Sequence, residues 1–148
     1  MASALLADHI VYHNDRFGIS GLVPMDYIAQ PAPDNADGRT FRSADGRVTL
    51  AIYGSHDAMG DLPGYRRFLT ELQEENGSVT YQAGGRSWFV LSGYDGDGQI
   101  YYLRVEQGKT CDGAPAYAHL HVTYDTSARA QVDHLLAELG RGLRFGPC

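Results

Sequence analysis

The stretch SWFVLSGYDGDGQIYYLRVE, residues 87–106, is the strongest indicator of fold class in this chain. Residues 87–91 form an almost unbroken apolar run, which predicts a central strand that is covered on both faces. The turn formers Asp-Gly-Asp-Gly at 95–98 then predict a tight connection into a second strand over 100–106. Strands joined by so short a turn pair in opposite directions, so the stretch predicts an antiparallel sheet.

Strand signals continue on both sides of this stretch. A turn signal at 43–46 leads into residues 47–52, which alternate between apolar and polar side chains. Residues 117–124 also alternate, and successive side chains of a strand point to opposite faces. One predicted face holds Ala118, Leu120 and Val122, and the other holds Tyr117, His119, His121 and Thr123.

Two amphipathic helices complete the pattern. The first is capped by Asp61 and stops at Asn76-Gly77, and the second runs from Thr126 or Ser127 to Gly140. The order of elements therefore predicts an α+β fold, in which an antiparallel β-sheet is flanked by two main helices. A length of 148 residues favours a single globular domain over 1–148. The predicted apolar stripes are Tyr65, Phe68, Leu69 and Leu72, then Val132, Leu135, Leu136 and Leu139.

Composition excludes two classes of partner. The formal net charge is −6 and no run of Lys or Arg is present, whereas binding to nucleic acid depends on clustered cations. No segment approaches the ~20 apolar residues that cross a bilayer. We therefore predict no nucleic-acid partner and no membrane span, and we expect the partner to be another protein.

The two cysteines give information about the cellular compartment of the protein. Cys148 is the last residue, where a free thiol would not pack in a hydrophobic core. A disulfide at this position would hold the end of the chain in place, so we predict a Cys111–Cys148 bridge. Two unpaired thiols are the alternative. Residues 1–6 lack the basic and apolar regions of a signal peptide, so either the protein is cytosolic or a signal has been removed. A disulfide favours the second case and a periplasmic or secreted protein.

One element of the chain has a family resemblance. Tyr12, then Phe17-Gly18-Ile-Ser and Val-Pro24, followed by the strand and helix order above, resembles the Mog1/PsbP-like family. The resemblance implies an antiparallel sheet flanked by helices. It also implies an exported protein that serves as a binding or assembly accessory. That family has no shared catalytic motif, so the resemblance assigns no site residues.

His119 and His121 are the candidate metal ligands. Their spacing on one strand aims both imidazoles from the same face, as a Zn or Cu site requires, although a third ligand is needed. The alternative is that both are ordinary histidines on a polar, Tyr-rich sheet face.

Tyr102, Tyr117 and Arg104 are the candidate interaction residues. Strict alternation places the two tyrosines opposite the core-facing residues, and Tyr and Arg commonly anchor protein interfaces. The alternative is a second core beneath a helix. The predicted core-facing residues are Tyr101, Leu103, Val105, Ala118, Leu120 and Val122.

The sequence lacks a phosphate-binding loop, a dinucleotide fingerprint, Cys-x-x-Cys and His-Glu-x-x-His, so we predict no cofactor and no catalysis. The first functional hypothesis is an exported, non-catalytic binding or interaction module, such as an inhibitor, an immunity-type protein or an assembly accessory. The alternative is a metal- or small-ligand-binding periplasmic protein that uses His119 and His121.

Overall fold

Ten strands and two α-helices make up the fold in residues 8–148, the part of the chain that the computed structural model describes. The features predicted for residues 1–6 lie outside this part. The helices are α1 (Leu62–Asn76) and α2 (Arg129–Gly142), and a 3₁₀ turn, Thr126–Ala128, precedes α2. The strands are β1 (His9–Asn14), β2 (Ile19–Pro24), β3 (Ile28–Ala29), β4 (Gly38–Arg42), β5 (Val48–His56), β6 (Tyr81–Gly84), β7 (Trp88–Tyr94), β8 (Ile100–Lys109), β9 (Pro115–Tyr124) and β10 (Arg144–Phe145).

The strands form two antiparallel sheets. The large sheet has the order β3-β4-β5-β9-β8-β7-β6, and the small sheet has the order β1-β2-β10. The prediction of an α+β fold with a large antiparallel sheet and two helices is confirmed. The prediction that residues 87–91 form the central strand is wrong, because β9 lies in the middle and β7 lies next to the edge strand. An apolar run reports burial on both faces, and it carries no information about the order of strands.

Each face of the large sheet packs into its own core. We name the faces for the helix that packs on each. On the α2 face, α2 and the small sheet cover side chains of β5 and β9, and on the α1 face, α1 covers side chains of β7, β8 and β9. The α2 core includes Ile19, Leu50, Ile52, Leu120, Val122, Val132 and Leu139; the α1 core includes Leu62, Leu69, Phe89, Leu91, Tyr101, Leu103, Val105 and Tyr117.

The two cores correct one predicted grouping. The register of β8 and β9 places Tyr102 beside Val122, so these two side chains point to the same face. Tyr101, Leu103 and Val105 therefore lie on the α1 face, whereas Ala118, Leu120 and Val122 lie on the α2 face. Alternation within one strand divides its side chains into two sets, but only the pairing register shows which sets of two strands share a face.

Helix α1 begins where its sequence predicted. The side chain of Asp61 accepts a hydrogen bond from the backbone N–H of Gly64, which satisfies one of the free donors at a helix start. Leu69 is buried on the α1 face, whereas Phe68 and Leu72 are 46% and 47% exposed. These two lie on the flank of the helix beyond its contact with the sheet, so half of the predicted apolar stripe of α1 is not covered.

The C-terminal residues are tied to the rest of the fold in two ways. A disulfide joins Cys111 to Cys148, as predicted, with the two Cα atoms 5.6 Å apart. Strand β10 pairs with β2, and the hydroxyl of Ser20 donates to the carbonyl of Gly146 at 2.6 Å. The disulfide is consistent with an oxidising compartment. In the described residues, neither helix has the length and apolar character that a membrane crossing requires.

Candidate interaction surface

Helix α2 covers only part of its face of the large sheet. It packs on β9 and on β2 of the small sheet, and the outer strands β6 and β7 carry exposed side chains on the same face. The register aligns Tyr81 with Ser92, and Ser92 with Tyr102, in one row across three strands. Tyr81 is 58% exposed and Tyr94 is 40% exposed. We call the following set the aromatic face: Tyr81, Trp88, Tyr94, Tyr102 and Arg104.

Arg104 is fixed in place by two neighbours. Its guanidinium carbon lies 4.4 Å from the centroid of the Trp88 ring, and its Nε donates to Oε2 of Glu106 at 2.7 Å. A planar guanidinium stacks well on an indole and also bonds a carboxylate. Arg104 and Trp88 are therefore held in one arrangement, so this pair would lose little conformational entropy if it were covered.

Tyr102 joins the aromatic face to α2. A Cβ atom at position 140 would lie 2.9 Å from the Tyr102 hydroxyl oxygen, so Gly140 makes room for this contact. Burial raises the pKa of Tyr102, and the phenol is neutral near pH 7. A cavity of about 240 Å³ lies between the aromatic face and α2, and Tyr124 and Asp133 line it. Its size suits a single side chain rather than a large ligand.

Comparison with solved structures finds the same architecture in proteins that include cyanobacterial PsbP (CyanoP) from Synechocystis sp. PCC 6803. The TM-score is 0.67 over 95% of this chain and 94% of that chain, at 12% sequence identity. For the Saccharomyces cerevisiae Ran-binding protein Mog1p the TM-score is 0.55 over 93% of this chain and 95% of that chain, also at 12% identity. The chain has the Mog1/PsbP-like fold.

This finding confirms the resemblance noted in the sequence around Phe17, Gly18 and Pro24. At 12% identity the likeness shows the Mog1/PsbP-like fold alone. No protein-family model matches the sequence, and no curated protein matches it either. The functional residues must therefore be argued from this chain.

The Mog1/PsbP-like sheet brings two of the three predicted interaction residues together. Tyr102 and Arg104 both lie on the aromatic face. The exposure predicted for Tyr117 is wrong, because this residue is fully buried in the α1 core. Its ring stacks on Tyr65 at 4.1 Å, and its hydroxyl donates to Oδ1 of Asp57 at 2.8 Å. Tyr117 therefore lies in a second core beneath a helix, as the alternative interpretation predicted.

Tyr81, Trp88 and Tyr94 also belong to the surface, and they were not predicted from the sequence. A signal for Trp88 was available, because the turn at 95–98 sets the register of β7 and β8. That register places Trp88 opposite Glu106, on the same face as Arg104. Tyr81 lacked such a signal, since its position depends on how β6 pairs with β7.

His119 lies in the α1 core of this Mog1/PsbP-like chain, and it is 1% exposed. Its Nδ1 lies 3.1 Å from the carbonyl oxygen of Tyr53, and its Nε2 lies 2.7 Å from the hydroxyl of Tyr65. A carbonyl only accepts, so Nδ1 carries the proton and Nε2 accepts from Tyr65. Burial lowers the pKa of His119 to about 4, and the ring is neutral near pH 7.

His121 lies on the same face but is only partly covered. Its ring contacts Tyr101, with centroids 6.3 Å apart, and burial lowers its pKa. In residues 8–148, no group of three or more His, Cys, Asp or Glu side chains is placed to hold a metal ion. Since both nitrogens of His119 are engaged, the described residues give the metal hypothesis for His119 and His121 no support.

Proposed function

We propose that this protein is an exported, non-catalytic module that binds another protein through the aromatic face. The observation that carries the proposal is the aromatic face beside α2, where Tyr81 and Tyr94 are 58% and 40% exposed and the half-buried Arg104 stacks on Trp88. Tyr, Trp and Arg are the residues that contribute most to binding at protein interfaces. Four of the five members of this surface are aromatic.

The mixed character of the surface supports a protein partner. Each phenol and the indole combine a large apolar area with a polar tip, so they lose little when exposed to water and gain much when covered. Glu106 neutralises Arg104, with 2.6 Å between the guanidinium Nη2 and Oε2. The surface therefore has little net charge on a protein of net charge −6, and it suits burial against another protein.

The comparisons add support for binding in general. Yeast Mog1p, which shares the fold, is described as a Ran-binding protein. A protein with this architecture can therefore act by binding another protein. We do not extend that partner to this chain, because 12% identity carries the fold alone.

Export and the absence of catalysis are parts of the same proposal. The disulfide favours an oxidising compartment, where such bonds persist. His119, whose pKa is lowered by burial, is committed to hydrogen bonds within the α1 core and does not face a cleft. Its shifted pKa is therefore explained by folding rather than by general acid or base catalysis.

A capture experiment with matched surface variants tests the proposal. The purified protein is immobilised and exposed to the extracytoplasmic proteins of its host, and bound proteins are identified. Tyr81→Ala and Tyr94→Ala should each reduce the recovered partner by about tenfold or more, as expected for loss of an interface anchor. Phe68→Ala is the matched control, since Phe68 is exposed to a similar degree on the α1 side.

Two outcomes would contradict the proposal. Equal recovery of the partner by the Tyr81 and Phe68 variants would show that binding does not involve the aromatic face. Recovery that depends on Phe68 alone would place the interface on the α1 side. All three side chains are at least 40% exposed, so the variants should keep the wild-type fold, which far-ultraviolet circular dichroism would check.

A further inference from the structure

Within residues 8–148, strand β1 is the longest edge strand, and its outer edge has no neighbouring strand. In the described part of the chain, the two sheets end in four edge strands. Three of them are short: β3 and β10 have two residues each, and β6 has four. β1 has six residues, and among residues 8–148 it pairs only with β2. Short edge strands protect a protein against unwanted pairing, and β1 lacks that protection.

The hydrogen bonds of the β1–β2 hairpin show which backbone groups are free. The N–H of Met25 donates to the carbonyl of Asp8 at 2.7 Å, and these two residues lie opposite each other in the register. In an antiparallel pair, bonded positions alternate with positions whose groups point away from the neighbour. The residues that turn both N–H and C=O to the outer edge are His9, Val11 and His13.

The side chains of β1 add no barrier to pairing. Ile10 is 43% exposed and Val11 is 57% exposed, and both are β-branched. The sequence HIVYHN contains no Lys, Arg, Asp, Glu or Pro, the residues that natural proteins place on open edges. β1 is thus a neutral, strand-forming segment in a protein of net charge −6.

We infer that two copies of this chain associate by antiparallel pairing of their β1 strands, with the two-fold axis at Val11. In this register Val11 bonds to Val11 of the second copy, and His9 and His13 bond to each other across the axis. All three outward positions of each copy are then satisfied, which gives six backbone hydrogen bonds. The partner must supply free groups at every second residue, and a second β1 strand supplies that spacing.

Charge favours the same register. Asp8 and Asp15 flank β1, and Asp15 lies 3.4 Å from His13 of its own copy. In this register Asp8 lies opposite Asn14 of the second copy, so no carboxylate lies directly opposite another along the strand pair. The apolar side chains of Ile10 and Val11 are covered at the same time. The aromatic face lies on the outer strands β6–β8 of the other sheet, so this association is independent of the proposed partner site.

Sedimentation velocity of the full chain tests the inference with three variants of Val11. The wild type should sediment as a dimer that dissociates on dilution. Val11→Pro removes an outward N–H without breaking a β1–β2 bond, and it should weaken the dimer by about tenfold or more. Val11→Lys keeps the N–H but places two like charges at the axis, and it should have the same effect. Val11→Thr keeps the N–H and the strand preference, and it should remain a dimer.

Near-ultraviolet circular dichroism must show that each variant has kept its fold. A wild type that stays monomeric up to its solubility limit would overturn the inference. So would a Val11→Lys protein that dimerises as strongly as the wild type. Neither result would affect the capture experiment, because the aromatic face is unchanged in these variants.

Discussion

The hydroxyl of Tyr65 lies 2.7 Å from Nε2 of His119, and this bond ties α1 to the central strand β9. On the other side of the imidazole, Tyr53 stacks on His119 with ring centroids 4.3 Å apart. The imidazole of His119 is therefore buried with both nitrogens hydrogen-bonded, Nε2 to Tyr65 and Nδ1 to the carbonyl of Tyr53. The free-energy cost of burying this polar ring is offset only while both hydrogen bonds are present.

Removing the Tyr65 hydroxyl should therefore destabilise the protein. We expect Tyr65→Phe to lower the free energy of unfolding by about 1–3 kcal/mol, because Nε2 of His119 becomes a buried acceptor without a donor. Urea unfolding at neutral pH measures this change. Tyr94→Phe is the control, since Tyr94 is 40% exposed, and it should change stability by less than about 0.5 kcal/mol. Equal costs for the two variants would contradict the assigned bond.

Stability should fall as the solution is acidified through the range set by His119. Burial lowers the pKa of this residue from 6.5 to about 4, so between these values the unfolded chain binds a proton that the folded protein excludes. The free energy of unfolding should therefore decrease from pH 6.5 to about 4, by roughly 3 kcal/mol for this group. Above pH 6.5 the group makes no pH-dependent contribution.

Two histidine variants isolate this effect. His119→Gln should remove the contribution of His119 to the decrease between pH 6.5 and 4, and His121 leaves a remainder because its pKa is also lowered. His134→Gln, on the exposed side of α2, should retain the wild-type dependence. Urea unfolding in a series of buffers gives the comparison. A wild-type slope that survives in His119→Gln would rule out this origin.

The disulfide should contribute substantially to stability. Cys111 and Cys148 are 37 residues apart in sequence, and closing a loop of that length removes entropy from the unfolded chain worth about 4 kcal/mol. Cys148→Ser should therefore unfold at a lower urea concentration than the wild type. Reductant should bring the wild type down to the level of the variant and leave the variant unchanged. A variant that still responds to reductant would contradict this assignment.

The packing of Phe17 on β5 gives a prediction for the N-terminal element that resembles the Mog1/PsbP-like family. A Cβ atom at Gly54 would lie 2.4 Å from Cγ of Phe17, which is 2% exposed. Gly54→Ala should thus destabilise the protein by about 1–3 kcal/mol through overpacking. Phe17→Leu in the same chain should recover part of the loss, and a double-mutant cycle by urea unfolding measures the coupling. Strict additivity would show that the two positions do not touch.

Local signals predicted the elements of the fold well. The apolar run and turn at 87–106, the Asp61 cap and the two helices each depend on neighbours in sequence, and each is present in the structure, although half of the predicted apolar stripe of α1 is exposed. The order of strands was not predictable in the same way. Whether β9 or β7 lies at the centre depends on pairings between segments that are distant in sequence.

Only part of the candidate site was predicted, because the rest also depends on contacts between segments that are distant in sequence. Tyr117 and His119 are polar, so alternation favours an exposed face for both. Their burial requires hydrogen-bond partners that lie 60 and 54 residues away, namely Asp57 and Tyr65. Tyr102 and Arg104 were predicted as interaction residues, but the residues of β6 and β7 that surround them on the aromatic face were not predicted. Only the register of the sheet brings these groups together.

The small sheet has a consequence for biosynthesis. Ser20 on β2 bonds to the carbonyl of Gly146, and the two residues are 126 apart in sequence. A chain that emerges with its N-terminus first presents the β1–β2 hairpin long before β10 exists. For that interval β2 is bare along the edge that β10 later covers, as β1 is along its own. The N–H of Gly146 donates to the carbonyl of Gly18, and Ser20 lies opposite Arg144, so the N–H of Ser20 points to β10. Its protection from hydrogen exchange therefore reports that β10 has been synthesised and has paired with β2.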